Sequence, residues 1–65
     1  MRPKSKTLLM RAYTSRNPIW TFDDAVREEL INSGLMRLEE GEPEPLMVLT
    51  EAGEAFGDWE TRKDG

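Results

Sequence analysis

Residues 26–56 read VREELINSGLMRLEEGEPEPLMVLTEAGEAF, a helical pattern followed by two short apolar runs. The first part places apolar residues at helical spacing and stops at Gly34, which is typical of a left-handed helix terminator. The apolar runs 35–38 and 46–49 flank a loop of glutamate and proline, which predicts a β-hairpin with an acidic tip. Thr50 can then cap a further helix. The stretch therefore predicts a helix, a hairpin and a second helix in succession.

The helix before Gly34 is predicted over residues 22–33. Thr21 is placed to cap it, and the acids that follow lie in the first turn, where the helix dipole favours negative charge. Phe22, Val26 and Leu30 share one face of this helix. We therefore expect Val26 and Leu30 to be buried.

Upstream, Ser5 can cap a first helix that runs to residue 13 or 14. The turn at 15–18 contains Asn-Pro, which disfavours helix and restarts the chain in extended form, so a very short strand is predicted at 19–21. Trp20 in that strand has two interpretations. It either staples the start of the next helix or stands on the surface as an anchor for a partner.

In the last helix, an apolar stripe at spacings of three and four predicts the buried face, with Trp59 at its end. Gly53 and Gly57 weaken helix, so fraying is expected after Trp59. We predict a single domain, residues 1–65, flexible at 1–4 and 61–65. The methionines Met36 and Met47 are expected inside. The other expected core residues are Leu8, Leu9, Ala12, Val26, Leu30, Leu35, Leu49, Ala52 and Phe56.

This order of elements resembles the winged-helix domain of bacterial regulators of the MarR-like kind, over about residues 22–59. The resemblance rests on a Gly-Leu entry into the wing and a Leu-Thr-Glu-x-Gly exit into a helix, here Gly34, Leu35, Leu49, Thr50, Glu51 and Gly53. It implies a small α+β fold: helix, short strand, helix, β-hairpin wing, helix. The family also has a supporting helix before the recognition helix, for which residues 14–21, interrupted by Pro18, leave no room.

The composition argues against catalysis. The chain has neither cysteine nor histidine, which removes the usual nucleophile–base pairs and the common zinc sites. It has no glycine-rich phosphate loop, and its acidic residues are expected on a surface. We therefore predict a protein that is not an enzyme and binds no cofactor or metal. The short apolar run at 8–10 cannot form a signal peptide or membrane span, so a cytoplasmic location is expected.

Charge is distributed unevenly along the chain. Residues 1–16 carry five basic residues and no acid, while residues 17–60 carry twelve acids against two arginines. By the resemblance, the DNA-facing helix and wing would be mostly acidic, and duplex DNA would repel them. We therefore predict a small regulatory or accessory protein whose acidic helix and wing dock on a partner protein with a basic patch. The residues expected in this contact are Asp23, Asp24, Arg27, Glu28, Arg37, Glu39, Glu40, Glu42 and Glu44.

A sharper form of this hypothesis is a nucleic-acid mimic that occupies the basic groove of another protein, and phage proteins of this kind exist. The alternative is a small DNA-binding transcriptional regulator that uses its basic N-terminal region. Its contact residues would be Arg2, Lys4, Lys6, Arg11 and Arg16. A third possibility is self-association, in which the basic head (residues 1–16) of one copy contacts the acidic body (residues 17–60) of another. The chain is therefore expected to be a monomer or a homodimer.

Overall fold

The computed structural model describes residues 1–41 and 45–63, which form three helices and one hairpin. The elements are α1 (Pro3–Ser15), α2 (Asp24–Asn32), β1 (Met36–Glu39), β2 (Leu46–Leu49) and α3 (Glu51–Lys63). The fold is therefore a small α+β arrangement, and the predicted order of helices and hairpin is confirmed.

α1 begins three residues earlier than predicted. Pro3 occupies the first turn, where its fixed φ suits a helix and its missing N–H is not needed. Arg2 is the N-cap residue and makes no side-chain capping bond. The prediction of Ser5 as the cap is wrong, because Ser5 lies inside the helix and is fully buried. The helix ends at Arg16, which adopts a left-handed φ of 60° and donates its amide to the Ala12 carbonyl at 2.9 Å.

The strand predicted at 19–21 is reduced to one bridge. Ile19 pairs with Met47 of β2 through two backbone hydrogen bonds of 3.0 and 2.8 Å. Pro18 precedes the bridge and cannot donate to a ladder, and the chain turns again at Thr21, whose hydroxyl accepts from the Asp23 amide at 3.1 Å. This bridge places the segment between α1 and α2 beside the hairpin.

α2 starts later than predicted. Its N-cap is Asp23, whose carboxylate accepts from the Val26 amide at 3.2 Å, so the prediction of Thr21 as the cap is wrong. Phe22 was predicted to begin the helix on its apolar face, but it precedes the helix and is exposed. The other end is as predicted: Gly34 has a φ of 80°.

The two strands pair antiparallel, with Met36 opposite Leu49 and Leu38 opposite Met47. These four side chains share the face that points inward, because side chains alternate along a strand. Met36 and Met47 are buried, as predicted. The predicted tip, Glu42, Pro43 and Glu44, lies outside the described residues.

α3 is capped by Thr50, as predicted, since the Thr50 hydroxyl accepts from the Gly53 amide at 3.1 Å. The helix then continues to Lys63, so the predicted end near Trp59 is wrong. Its buried face is also different from the predicted one. Gly53, Gly57 and Glu60 point inward, whereas Ala52 is exposed and Trp59 is 56% exposed.

The two buried glycines explain this rotation of α3. A Cβ on Gly57 would overlap the ring of Tyr13, and a Cβ on Gly53 would overlap the carbonyl oxygen of Leu35. The backbone of α3 therefore approaches α1 and the α2–β1 connection more closely than any side chain allows. The glycines that were expected to weaken the helix are the residues that let it dock.

The core lies between α1, α2 and the hairpin. Its buried apolar residues are Leu9, Ala12, Val26, Leu30, Met36 and Met47. Of the remaining expected core residues, four are partly buried against this cluster, namely Leu8, Leu35, Leu49 and Phe56. Ala52 is exposed, and so is Trp59 at the end of the predicted buried stripe. No helix within residues 1–41 and 45–63 is long and apolar enough to cross a membrane.

Candidate functional site

The segment between the Ile19 bridge and α2 contains Phe22, which is the most exposed of the large apolar side chains among the described residues. Phe22 is 83% exposed, and its ring meets that of Trp20 edge-on, with centroids 6.5 Å apart. Trp20 is half-buried against the core cluster. We call these two residues and Arg27, which stacks on Trp20, the aromatic cluster. In this cluster the Phe22 side chain is exposed to solvent and meets the ring of Trp20, which packs against the core.

Arg27 is turned toward the protein. Its guanidinium lies 5.0 Å from the centroid of the Trp20 ring and donates to the Thr21 carbonyl at 3.0 Å. It also forms an ion pair with Asp24 one turn earlier in α2. Arg27 was predicted as a partner contact, but its side chain positions Trp20 and closes the loop before α2. Its charge is largely compensated within this protein.

The acids at the start of α2 have unequal roles. Asp23 caps the helix and Asp24 pairs with Arg27. Glu28 lies one turn after Asp24 and is exposed, without an ion pair to any described residue. Asp23 and Asp24 directly follow Phe22 in the chain, and Glu28 lies one turn further along α2. Of the predicted helix contacts, they are the ones that remain at the surface.

The hairpin contributes less free charge than its sequence indicates. Arg37 and Glu39 lie on the outward face of β1 and pair with each other at 3.3 Å. Glu40 is exposed after the strand. The remaining predicted wing contacts, Glu42 and Glu44, lie outside residues 1–41 and 45–63. The described part of the hairpin therefore adds one uncompensated acid to those of α2.

Two of the five basic residues predicted for nucleic acid face acids of α3. Lys6 pairs with Glu60 at 2.9 Å, and Arg16 pairs with Glu54 at 3.1 Å. Glu60 is only 9% exposed, so the Lys6 ammonium compensates an acid that has lost most of its water. Through these ion pairs, part of the basic head holds α3 against α1.

The other basic residues are arranged differently. The backbone amide of Arg2 donates to the Glu29 carboxylate at 3.0 Å. Lys4 and Arg11 are exposed on α1 and border a shallow depression of about 310 Å³. No ion pair joins Lys4 or Arg11 to an acid within the described ranges. Lys4 and Arg11 lie two turns apart on α1, and they are the best remaining candidates for the predicted contact with nucleic acid.

Two ionisable groups have perturbed pKa values. The Ser5 hydroxyl, and next the Arg2 amide, hold the pKa of the Glu29 carboxyl below its usual value. The Ser5 oxygen is itself buried. At Tyr13, the hydrogen bond to Asp58 raises the pKa of the hydroxyl. Both groups connect helices.

A second depression, of about 250 Å³, lies where α1 ends beside β2 and α3. Ala12, Val48 and Leu49 form its apolar floor, and the Arg16–Glu54 pair stands at its rim. Within the part of the chain that the structure describes, no group of three or more acidic side chains is arranged to hold a metal ion. The exposed chemistry of the described surface is thus aromatic and acidic around α2.

Comparison with known proteins assigns no family to this chain. No family model matches the chain, and neither the curated proteins nor the solved structures include a significant match.

Sequence reasoning missed Phe22 as an exposed residue. The signal was present: Thr21 and Asp23 are both acceptable caps, and a cap at Asp23 leaves Phe22 outside the helix. The pairing of Asp24 with Arg27 was also readable, since residues three apart are neighbours on a helix. The sequence allows two interpretations of Trp20. In the structure Trp20 is half-buried, and its ring meets that of the exposed Phe22.

Proposed function

We propose that this chain is a small non-enzymatic regulatory or accessory protein that acts by contact with another protein. The contact surface is the aromatic cluster together with the acids Asp23, Asp24 and Glu28 and the exposed acids of the hairpin. The observation that carries the proposal is Phe22, an aromatic side chain 83% exposed that meets the half-buried Trp20 ring and is followed in the chain by Asp23 and Asp24. Aromatic residues are enriched at the centres of protein interfaces, and polar residues form the rims.

The chemistry of the partner follows from this surface. Phe22 requires an apolar pocket, and the surrounding carboxylates favour lysine or arginine around that pocket. A partner with a basic, partly apolar groove fits both requirements. A protein that binds nucleic acid is one such partner, which retains the mimic as the sharper form of the hypothesis.

A winged-helix-like architecture is part of this proposal. Three features support it: the order of the elements, the hairpin that follows α2, and the Ile19–Met47 bridge, which sets the segment before α2 beside the returning strand. In this interpretation α2 occupies the position of the recognition helix and the hairpin that of the wing. The supporting helix is absent from residues 16–23, which hold only the bridge.

Binding of nucleic acid through the basic head is the competing hypothesis. The pairing of Lys6 and Arg16 with acids of α3 counts against it, because phosphates would have to displace Glu60 and Glu54. Titration of a labelled DNA duplex with the protein, followed by fluorescence anisotropy at low and moderate salt, separates the two. We expect no binding at either salt concentration. Binding that collapses with salt and is lost in a Lys4→Ala, Arg11→Ala variant would overturn the proposal.

The positive test uses the protein as bait in a bacterial lysate, because the resemblance is to bacterial regulators. The baits are the unaltered chain, Phe22→Ser and the matched control Trp59→Ser, which removes an exposed aromatic side chain from α3. We expect a partner that the unaltered chain and Trp59→Ser retain and that Phe22→Ser loses. Circular dichroism of the three baits verifies that each is folded. A partner retained equally by all three would contradict a role for the aromatic cluster.

A further inference from the structure

The outer face of α3 carries a second apolar surface. Ala52, Ala55 and Trp59 are exposed and Phe56 is partly buried, so apolar side chains recur on one side along the helix. We call these four residues the α3 stripe. It lies beside the glycine face that docks on α1, and the Phe56 and Trp59 rings meet with centroids 6.2 Å apart. Its largest member, Trp59, is 56% exposed.

The charges beside the stripe are arranged with opposite signs at its two ends. The first turn of α3 is acidic and its last turn is basic. Glu51 and Arg62 are eleven positions apart, close to three full helical turns, so they lie on the same edge of the stripe. Both are exposed, and neither forms an ion pair with another described residue.

These two features fit one occupant, a second copy of α3 running in the opposite direction. A two-fold axis across the middle of the helix, near Gly57, would place Glu51 of one copy beside Arg62 of the other, and the same pair would recur by symmetry. The same axis would set Trp59 of each copy over the small side chains Ala52 and Ala55 of its neighbour. Large residues would thus meet small ones, and acids would meet bases.

We propose that the chain forms a two-fold symmetric homodimer through antiparallel packing of the α3 stripe. The surface is separate from the aromatic cluster at α2, so a dimer would present two partner-binding surfaces. A helix of 13 residues is only about 20 Å long. The interface is therefore small, and dissociation constants in the micromolar range or weaker are expected.

Sedimentation velocity across a concentration series from micromolar to millimolar tests the dimer. We expect a concentration-dependent shift from monomer to dimer, and Trp59→Ser should weaken it roughly tenfold or more, since a central tryptophan is a typical hot spot. Phe22→Ser is the matched control and should dimerise like the unaltered chain. A protein that is monomeric throughout, or a dimer insensitive to Trp59→Ser, would overturn the proposal.

The antiparallel arrangement has its own test in charge reversal. Glu51→Arg and Arg62→Glu should each weaken the homodimer, by roughly tenfold over the two symmetric pairs. Mixing the two variants should restore dimers, because every Arg at 51 then faces a Glu at 62. The double variant Glu51→Arg, Arg62→Glu should dimerise on its own for the same reason. If each single variant weakens the dimer and neither the mixture nor the double variant recovers it, the antiparallel register is wrong.

Discussion

α1 contacts the rest of the protein on two sides that differ in chemistry. On one side, Leu9 and Ala12 lie in the apolar core with side chains from α2 and the hairpin. On the other side, α1 meets α3 through ion pairs, a tyrosine hydroxyl and the backbone of buried glycines. Apolar burial stabilises more per residue than an ion pair that water reaches. We therefore expect the first side to carry most of the free energy of folding.

The difference also explains part of the uneven charge of the sequence. The cations Lys6 and Arg16 near the N-terminus meet the acids Glu60 and Glu54 near the C-terminus. The basic head and the acidic body are thus partly complementary halves of one intramolecular interface. An uneven charge distribution that looked like a signal for an external ligand has, at these four positions, an internal use. Salt screens the charges of such pairs, so added salt should weaken the α3 side more than the apolar side.

The largest expected effect is on the apolar side. Leu30→Ala removes a fully buried side chain from the centre of the core and should lower the free energy of unfolding by about 2–5 kcal/mol. A domain of this length has a total of only about 3–10 kcal/mol, so the variant will be largely unfolded or close to it. Urea denaturation followed by circular dichroism measures the change.

Leu38→Ala is the matched control for Leu30→Ala. Leu38 is on the inward face of β1, but its side chain is half exposed. The same chemical change there should cost about 1 kcal/mol or less, because much of the side chain already contacts water. Equal losses for the two variants would show that the core does not lie between α1, α2 and the hairpin.

An intermediate effect is expected on the α3 side, at Gly57. Gly57→Ala gains up to about 1 kcal/mol of helix propensity, but its Cβ overlaps the Tyr13 ring, and such overpacking costs about 1–3 kcal/mol. We expect the variant to be less stable than the unaltered chain. Thermal unfolding followed by circular dichroism gives the sign.

The same substitution in a Tyr13→Ala background provides the control. Without the ring there is no overlap, so Gly57→Ala should now stabilise the protein through helix propensity alone. The interaction energy of this double-mutant cycle measures the close approach of α1 and α3 directly. If Gly57→Ala has the same sign in both backgrounds, Tyr13 does not limit the position of α3.

The sequence predicted the apolar side of this comparison well. Helical spacing identified Val26 and Leu30 as buried, and Gly34 marked the end of α2 because only glycine adopts its left-handed φ without strain. Short apolar runs identified both strands. These signals succeed because they depend on local periodicity and on backbone geometry, which the sequence contains directly.

The sequence did not predict the α3 side. The apolar stripe through Ala52 and Trp59 indicated the wrong buried face, because periodicity records where apolar residues lie and not how closely two helices approach. Gly53 and Gly57 were interpreted as helix breakers, although four-residue spacing also suits a close helix contact. Choosing between the two requires knowledge of what lies opposite, here the Tyr13 ring and the Leu35 carbonyl.

The candidate site was predicted in part. Exposure of Glu28 and Glu40 followed from their charge, but Phe22 was misplaced by a two-residue error in the cap of α2. Such an error is small along the chain and large in space, because it moves an aromatic side chain from a helix face to a loop. The side chain of Arg27 points inward because it stacks on Trp20, and its charge alone does not predict this orientation.

The smallest expected effect concerns Tyr13, the only tyrosine in the chain, so its ionisation can be followed directly by ultraviolet absorbance. The hydrogen bond to Asp58 raises the pKa of the hydroxyl above the ordinary value of about 10. A raised pKa in the folded state means that this contact stabilises the protein fully below about pH 10 and is lost as pH rises through the folded pKa. We expect the absorbance midpoint to lie above that of the chain unfolded in urea.

Asp58→Asn separates the cause of that shift. The amide can still accept a hydrogen bond but has no charge, so the midpoint should fall toward the ordinary tyrosine value, helped by the Arg16 guanidinium 4.6 Å from the ring centroid. Lys6→Met is the control: it removes the cation facing Glu60, a contact between α1 and α3 that does not involve Tyr13, and should leave the Tyr13 midpoint unchanged. A midpoint that is insensitive to Asp58→Asn would mean that Tyr13 does not bond to α3 in solution. In that case the Gly57 contact and the two ion pairs would position the two helices.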